Sequence, residues 1–225
     1  MPYMQTICVF LQKMTLRTLA DWKVTGRESM PPMGPLIIVS NHLSNFDPSL
    51  LACSLPRTIH FLAKDSIFEH PVSNWFLRAY GAYPLNREGV DARAYRWAKN
   101  QLARDKVLSM FPEGTRTRTG GLQKAKHGVT RLAMESQAAI LPVGITGTEG
   151  LGTLLRHFNP TGTIRVNVGM PFTLPHVEGR PSREMVSSMT DMIMVRVAQL
   201  LPEEYRGVYA EKTAASGAKT KMEVT

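Results

Sequence analysis

The sequence predicts an α/β fold, a largely parallel central sheet flanked by helices with an amphipathic helix at the N-terminus, and three observations predict it. Short apolar runs of the kind that form strands buried on both faces, such as LIIVS from Leu36 to Ser40 and VLSMF from Val107 to Phe111, alternate with stretches of helical periodicity. Turn and helix-start signals fall in the gaps, among them a Pro/Gly linker from Met30 to Pro35 and the pair Asp47-Pro48. The chain of 225 residues is long enough for one large core, and 43% hydrophobic against 20% charged residues excludes a disordered or fibrous protein. Strands and helices in alternation bury the sheet between helices, with crossovers that keep consecutive strands parallel.

Taken in order, Tyr3, Ile7, Phe10, Leu11 and Met14 recur at helical spacing while Lys13, Arg17 and Lys23 add positive charge, which predicts an amphipathic helix with Trp22 at its end. Such a helix suits a lipid interface or packing on the core, and the basic balance of the chain favours lipid. A signal peptide is ordered differently, with basic residues ahead of the apolar run and a small-residue cleavage site after it. No stretch reaches the roughly 18 uninterrupted apolar residues of a membrane-spanning helix. LIIVS is the first strand expected, and the next helix begins at Pro48, with Asp47 as N-cap acceptor and proline at the first helical position. TIHFLAK from Thr58 to Lys64 supplies a strand, Asp65 to Tyr80 a helical segment, AYPL a short strand, and Val90 to Arg104 a helix. After VLSMF come a helix from His127 to Ser136, the strand AILPVGITG, and the alternating Ile164, Val166 and Val168 of a further strand in TGTIRVNVGMPF. Pro181-Ser182 opens a last amphipathic helix through Met185, Met189, Met192 and Leu200, and beyond Tyr209 the polar residues are expected to be disordered.

Charge narrows the partners. Lys and Arg number 27 against 18 Asp and Glu, a formal net charge of +9, which points to an anionic partner: nucleic acid, an anionic membrane surface or a phosphorylated substrate. The cations are spread along the chain, aromatic residues are 8%, and no nucleic-acid motif is present, so a basic nucleic-acid-binding module is the weaker alternative. Two cysteines, Cys8 and Cys53, without a C-x-x-C pair exclude a disulfide scaffold and a zinc ribbon and fit a reducing compartment.

Chemistry gathers where strands end, the place at which α/β folds bind ligands. In SNHLSNFDP, directly after LIIVS, His42 and Asp47 stand five positions apart. A carboxylate on one ring nitrogen of a histidine fixes its tautomer and raises its basicity, which makes a general base and its orienter. The alternative leaves Asp47 as a helix cap and His42 as a turn residue; a metal site lacks a second histidine at ligand spacing. Ser40, Ser44 and Cys53 are the nucleophiles in range, and no G-x-S-x-G elbow supports a hydrolase. In FPEGTRTRTGG, Gly114 lets backbone approach a ligand, Thr115 offers a hydroxyl, and Arg116 can grip a phosphate bidentately, with Arg118 and Lys124 extending the field. The alternative is a solvated basic loop with Glu113 in a surface ion pair. A Walker-type phosphate loop is absent. Arg87 in YPLNREG and Lys64 at the end of FLAK occupy equivalent strand ends, so the four would line an electropositive crevice.

Together NHLSNFD and FPEGTR resemble the H-x-x-x-x-D and E-G-T-R motifs of the glycerolipid acyltransferases, with YPLNREG similar to the family's arginine block and Pro142 in AILPVGITG to its proline block. The resemblance covers Leu36 to Gly150, about half the chain, and is nearest to the 1-acylglycerol-3-phosphate type. It implies transfer of a fatty acyl group from acyl-CoA or acyl carrier protein to the hydroxyl of a lysophospholipid, giving phosphatidic acid; glycerol 3-phosphate or another lysophospholipid is the alternative acceptor. His42 would be the base and Asp47 its orienter. Arg116, Arg87 and Lys64 would clamp the acceptor phosphate, with Glu113, Gly114 and Thr115 shaping that pocket. No cofactor is needed, since a thioester is already activated, and no metal is implied. Residues 1–30 would be a membrane-contacting segment, 31–209 the acyltransferase domain and 210–225 a disordered tail, working at the cytoplasmic face of a membrane as a peripheral or monotopic protein.

Overall fold

Leu36, Ile37, Ile38 and Val39 are wholly buried at the centre of a seven-stranded sheet, as an apolar run without alternation requires. The computed structural model describes residues 2–89, 91–117, 120–153, 156 and 158–214. Its strands are β1 (Ala20–Thr25), β2 (Leu36–Ser40), β3 (Ile59–Lys64), β4 (Ala82–Leu85), β5 (Val107–Met110), β6 (Ala139–Thr146) and β7 (Gly162–Val168). Its principal helices are α1 (Pro2–Leu19), α2 (Asp47–Ser54), α3 (Pro71–Ala79), α4 (Ala92–Leu102), α5 (Gly128–Ser136) and α6 (Arg183–Ala198).

The strand order is β1-β7-β6-β2-β5-β3-β4. From β6 to β4 all neighbours are parallel; β7 runs antiparallel to β6, and β1 parallel to β7. The sheet is therefore largely parallel, with two reversed strands at one edge. Alternation along β2 divides the core: Leu36 and Ile38 join the cluster under α1, α2 and α3, while Ile37 and Val39 join the one under α4, α5 and α6. Each fully buried Leu or Ile contributes about 1.5–3 kcal/mol relative to an exposed one.

Five expectations need correction. Trp22 does not end α1: the helix stops at Leu19 and Ala20–Thr25 form β1, with Trp22 beside Ile164 and Val24 beside Val166 of β7. The expected boundary at residue 30 therefore divides one sheet, leaving β1 as well as α1 ahead of it. The segment from Asp65 to Tyr80 is broken by Pro71 into a 3-10 turn at 65–68 and α3, because the residue before a proline is pushed to extended backbone and His70 adopts ψ 128°. α6 keeps its Ser182 cap but buries Val186, Ile193, Met194 and Val197, leaving Met185 and Met192 exposed. Pro142 lies within β6 beside Val39, inside the strand expected of AILPVGITG. Residues 210–214, expected to be disordered, are helical: the Thr213 hydroxyl donates to the Tyr209 carbonyl and Lys212 pairs with Asp191; residues 215–225 of the expected tail lie outside the described ones.

Candidate active site

β2 ends at Ser40, and Asn41 extends its pairing with β6: its amide donates to the Ile145 carbonyl and its Oδ1 accepts from the Ile145 N–H, both at 2.8 Å. The chain then turns, and six residues after Asn41, Asp47 returns its carboxylate to the turn it came from. Asp47 is fully buried. Its Oδ2 meets His42 Nδ1 at 2.9 Å and accepts from the N–H groups of Leu43 and Ser44, both at 2.7 Å; its Oδ1 accepts from the Thr148 hydroxyl at 2.6 Å. Four donors offset the cost of burying that charge. Asp47 is thus not the N-cap expected of it: it is the first residue of α2, and its carboxylate serves the turn behind the helix.

Acceptance by Asp47 places the proton on Nδ1 of His42 and leaves Nε2 with its lone pair outward. No hydrogen bond to Nε2 is made among the described residues. The ring lies on Phe111, centroids 4.2 Å apart at 22°, which fixes its plane from the β5 side. Ser40 donates to the Asn41 carbonyl, and Ser44 Oγ accepts from the Phe46 N–H. Cys53 sits under α1 against the Val9 carbonyl and Gln12, its thiol pushed up to about 12 by burial. A thiol in that state is not a nucleophile.

The loop after β5 is laced to the same turn. Glu113, 4% exposed, accepts from the His42 N–H at 3.0 Å through Oε1 and from the Gln123 N–H at 2.9 Å through Oε2. Burial pushes its carboxyl up to about 7 against those two bonds. Glu113 is therefore a strut inside the loop and not the surface ion pair of the alternative reading. The Thr117 N–H closes the link by donating to the His42 carbonyl at 2.9 Å. Gly114 turns at φ +72°, and a Cβ there would stand 2.9 Å from Cε of Lys126, whose stem crosses the loop. Thr115 and Arg116 reach solvent.

Because the five strands from β6 to β4 are parallel, their C-terminal ends share one edge. Thr148 follows β6, His42 β2, Arg116 β5, Lys64 ends β3, and Arg87 follows β4. Arg116 extends toward Gly152, whose Cβ position would be 4.0 Å from its Nη1 and 3.7 Å from the Ser44 hydroxyl, so the guanidinium sits by the His42 turn. Arg87 feels it: burial first, then the Arg116 charge, lowers the pKa of Arg87, while Asp65 opposes the change. Lys64 is exposed opposite Leu85. Arg118 lies outside the described residues. A cleft of about 430 Å³ past Arg87, lined by Asn86, Glu88, Asp91 and Arg93, includes neither His42 nor Asp47.

Thr148, Asn41 and Phe111 were not legible as site residues. Thr148 and Asn41 bond across the β2–β6 boundary to partners more than a hundred positions away, and no local spacing encodes such pairs. Phe111 reads in sequence as the last residue of an apolar strand.

This chain is similar to several known proteins. A 1-acyl-sn-glycerol-3-phosphate acyltransferase of Bacillus subtilis is 25% identical over 198 residues, covering 88% of this chain and 96% of that one. One of Saccharomyces cerevisiae is 32% identical over 148 residues, 63% of this chain and 48% of the other. The crystal structure of the 1-acyl-sn-glycerophosphate acyltransferase PlsC of Thermotoga maritima superimposes with a TM-score of 0.67 at 27% identity, covering 84% of this chain and 76% of that one. A family model described as Acyltransferase matches residues 21–146, more than half the chain. That span runs from β1 to the end of β6 and holds His42, Asp47 and the E-G-T-R loop, and the chain belongs to the acyltransferase family.

Proposed function

We propose that this acyltransferase moves a fatty acyl group from a thioester, on coenzyme A or acyl carrier protein, to the free hydroxyl of 1-acylglycerol 3-phosphate, giving phosphatidic acid. The observation that carries the reading is a histidine whose Nδ1 is tied to a buried carboxylate and whose Nε2 is unbonded among the described residues, on the strand edge that also bears Arg116, Lys64 and Arg87. The relatives in Bacillus subtilis and Saccharomyces cerevisiae bear the name of this activity.

Nε2 of His42 takes the acceptor hydroxyl proton as the oxygen attacks the thioester carbonyl. The tetrahedral intermediate collapses with loss of the C–S bond, and the imidazolium returns the proton to the departing thiolate. A base so placed is worth about 10²–10⁴ in rate. Asp47 stabilises the imidazolium; Arg116, Arg87 and Lys64 hold the acceptor phosphate and so aim its hydroxyl. Gly114 and Thr115 bring the loop close to that phosphate. The acceptor is a bilayer lipid, so the enzyme works at a membrane surface, and α1 turns the stripe of Ile7, Phe10, Leu11 and Met14 to solvent while Gln5 and Leu16 face inward. Among the described residues no helix is long and apolar enough to cross a membrane.

The test offers 1-acylglycerol 3-phosphate, glycerol 3-phosphate and lysophosphatidylcholine in parallel, with one acyl chain on coenzyme A and on acyl carrier protein. Preference for 1-acylglycerol 3-phosphate is expected. Preference for glycerol 3-phosphate reassigns the acceptor, and transfer to none of them overturns the reading.

A further inference from the structure

α3 is an amphipathic helix worn inside out. Val72, Trp75 and Phe76 occupy i, i+3 and i+4, the spacing that normally faces a core, yet Val72 is 67% and Trp75 51% exposed. The inward contact is made by Leu77, with Phe68 and Tyr80 at the helix ends. α1 is built alike, with Phe10 at 62% and Leu11 at 59% exposed. The two helices pack against each other on the same face of the sheet, so their outward stripes adjoin. Apolar surface gathered in this way on a soluble face marks a contact with something apolar.

The surroundings indicate what that is. Lys13 and Arg17 are the only charged residues of α1, and Arg78 stands at the end of α3. Asp65 and Glu69 lie in the turn before the helix, where Asp65 already acts on the cationic Arg87. The same turn joins α3 to Lys64, so the stripe begins beside the strand edge that carries His42.

We propose that α3 is a second lipid-contacting element: its Val72, Trp75 and Phe76 insert into the interface of an anionic bilayer beside α1 and seat the active-site edge on the membrane. This rests on the acyl-transfer reading, which places the acceptor in a bilayer. Apolar insertion supplies the part of binding that salt does not remove, and the cations supply the part that it does.

The experiment uses the full chain and vesicles of phosphatidylcholine with phosphatidylglycerol, some with brominated acyl chains. The fluorescence component lost in Trp75→Phe should shift to the blue and be quenched by the brominated chains. Val72→Glu combined with Phe76→Glu, both on the outer face, should weaken vesicle partition by about tenfold or more and reduce transfer to bilayer-embedded acceptor in parallel, while transfer to a water-soluble short-chain acceptor is kept. Vesicle binding with Trp75 unquenched overturns the proposal. So does a double variant that binds vesicles normally but loses a dimer in sedimentation, which would make the face an interface between copies. Absence of transfer to the short-chain acceptor by the unaltered chain is instead the failure of the acyl-transfer reading, whatever the quenching shows.

Discussion

The hydroxyl of Thr148 donates to Oδ1 of Asp47 at 2.6 Å across 101 positions of sequence, and it is the one donor on that oxygen among the described residues. The other oxygen is filled by His42 and two backbone N–H groups, so Thr148 sets the plane in which the carboxylate meets the imidazole. Thr148→Val should lower kcat by about tenfold or more, with acceptor KM nearly unchanged, and destabilise the fold by about 1.5–3 kcal/mol through loss of a charged hydrogen bond. Thr148→Ser should restore both. Steady-state kinetics and denaturant unfolding check the pair, and a valine variant with full kcat would reduce Thr148 to a packing residue.

His42→Ala should fold normally and lose about 10²–10⁴ in turnover, since the ring is held at the edge of the site by Asp47 and Phe111 and supports no strand. Asp47→Asn should also fold: the new amide can donate to the Thr148 hydroxyl, which turns to accept. Turnover should nevertheless fall, because the imidazolium loses its counter-charge. Circular dichroism with single-turnover assays separates the two effects.

Glu113 makes stability depend on pH in an unusual direction for a carboxylate. Its folded value of about 7 lies above its ordinary 4.5, so the folded chain holds this proton more tightly than the unfolded chain. The group's contribution is fully present below about pH 4.5 and is lost as pH rises through 7, by about 3 kcal/mol at most. Glu113→Gln should remove that slope while leaving one of the two N–H groups of His42 and Gln123 without its acceptor. Unfolding curves for both chains between pH 5 and 8 decide it; equal slopes would assign the pH dependence elsewhere.

Arg116→Ala should raise the acceptor KM about tenfold or more and leave the donor KM nearly unchanged, because a bidentate phosphate contact is lost. Arg87→Ala should act less than additively with it, since the two guanidinium groups share one field. Arg104, beyond the far end of α4 from Arg87, should tolerate alanine. A uniform rise in both KM values for Arg116→Ala would mean that the loop supplies only general attraction.

What local spacing encodes, the sequence determined by itself. Continuous apolar runs placed β2 and β5 in the middle of the sheet, Ser182 capped the last helix, and the five-residue interval from His42 to Asp47 is the length of chain that folds back on itself in one turn. Tertiary structure decided whatever depends on pairing between distant segments. Ala20–Thr25 became a strand because β7, more than a hundred residues later, offered it an edge. Glu113 turned inward because the N–H groups of His42 and Gln123 converge there, and Thr148 reached Asp47 because β6 and β2 are neighbours. A side chain's periodicity is set by its own backbone, but its partner is set by which strands close the sheet, and that is settled by the burial of the whole core.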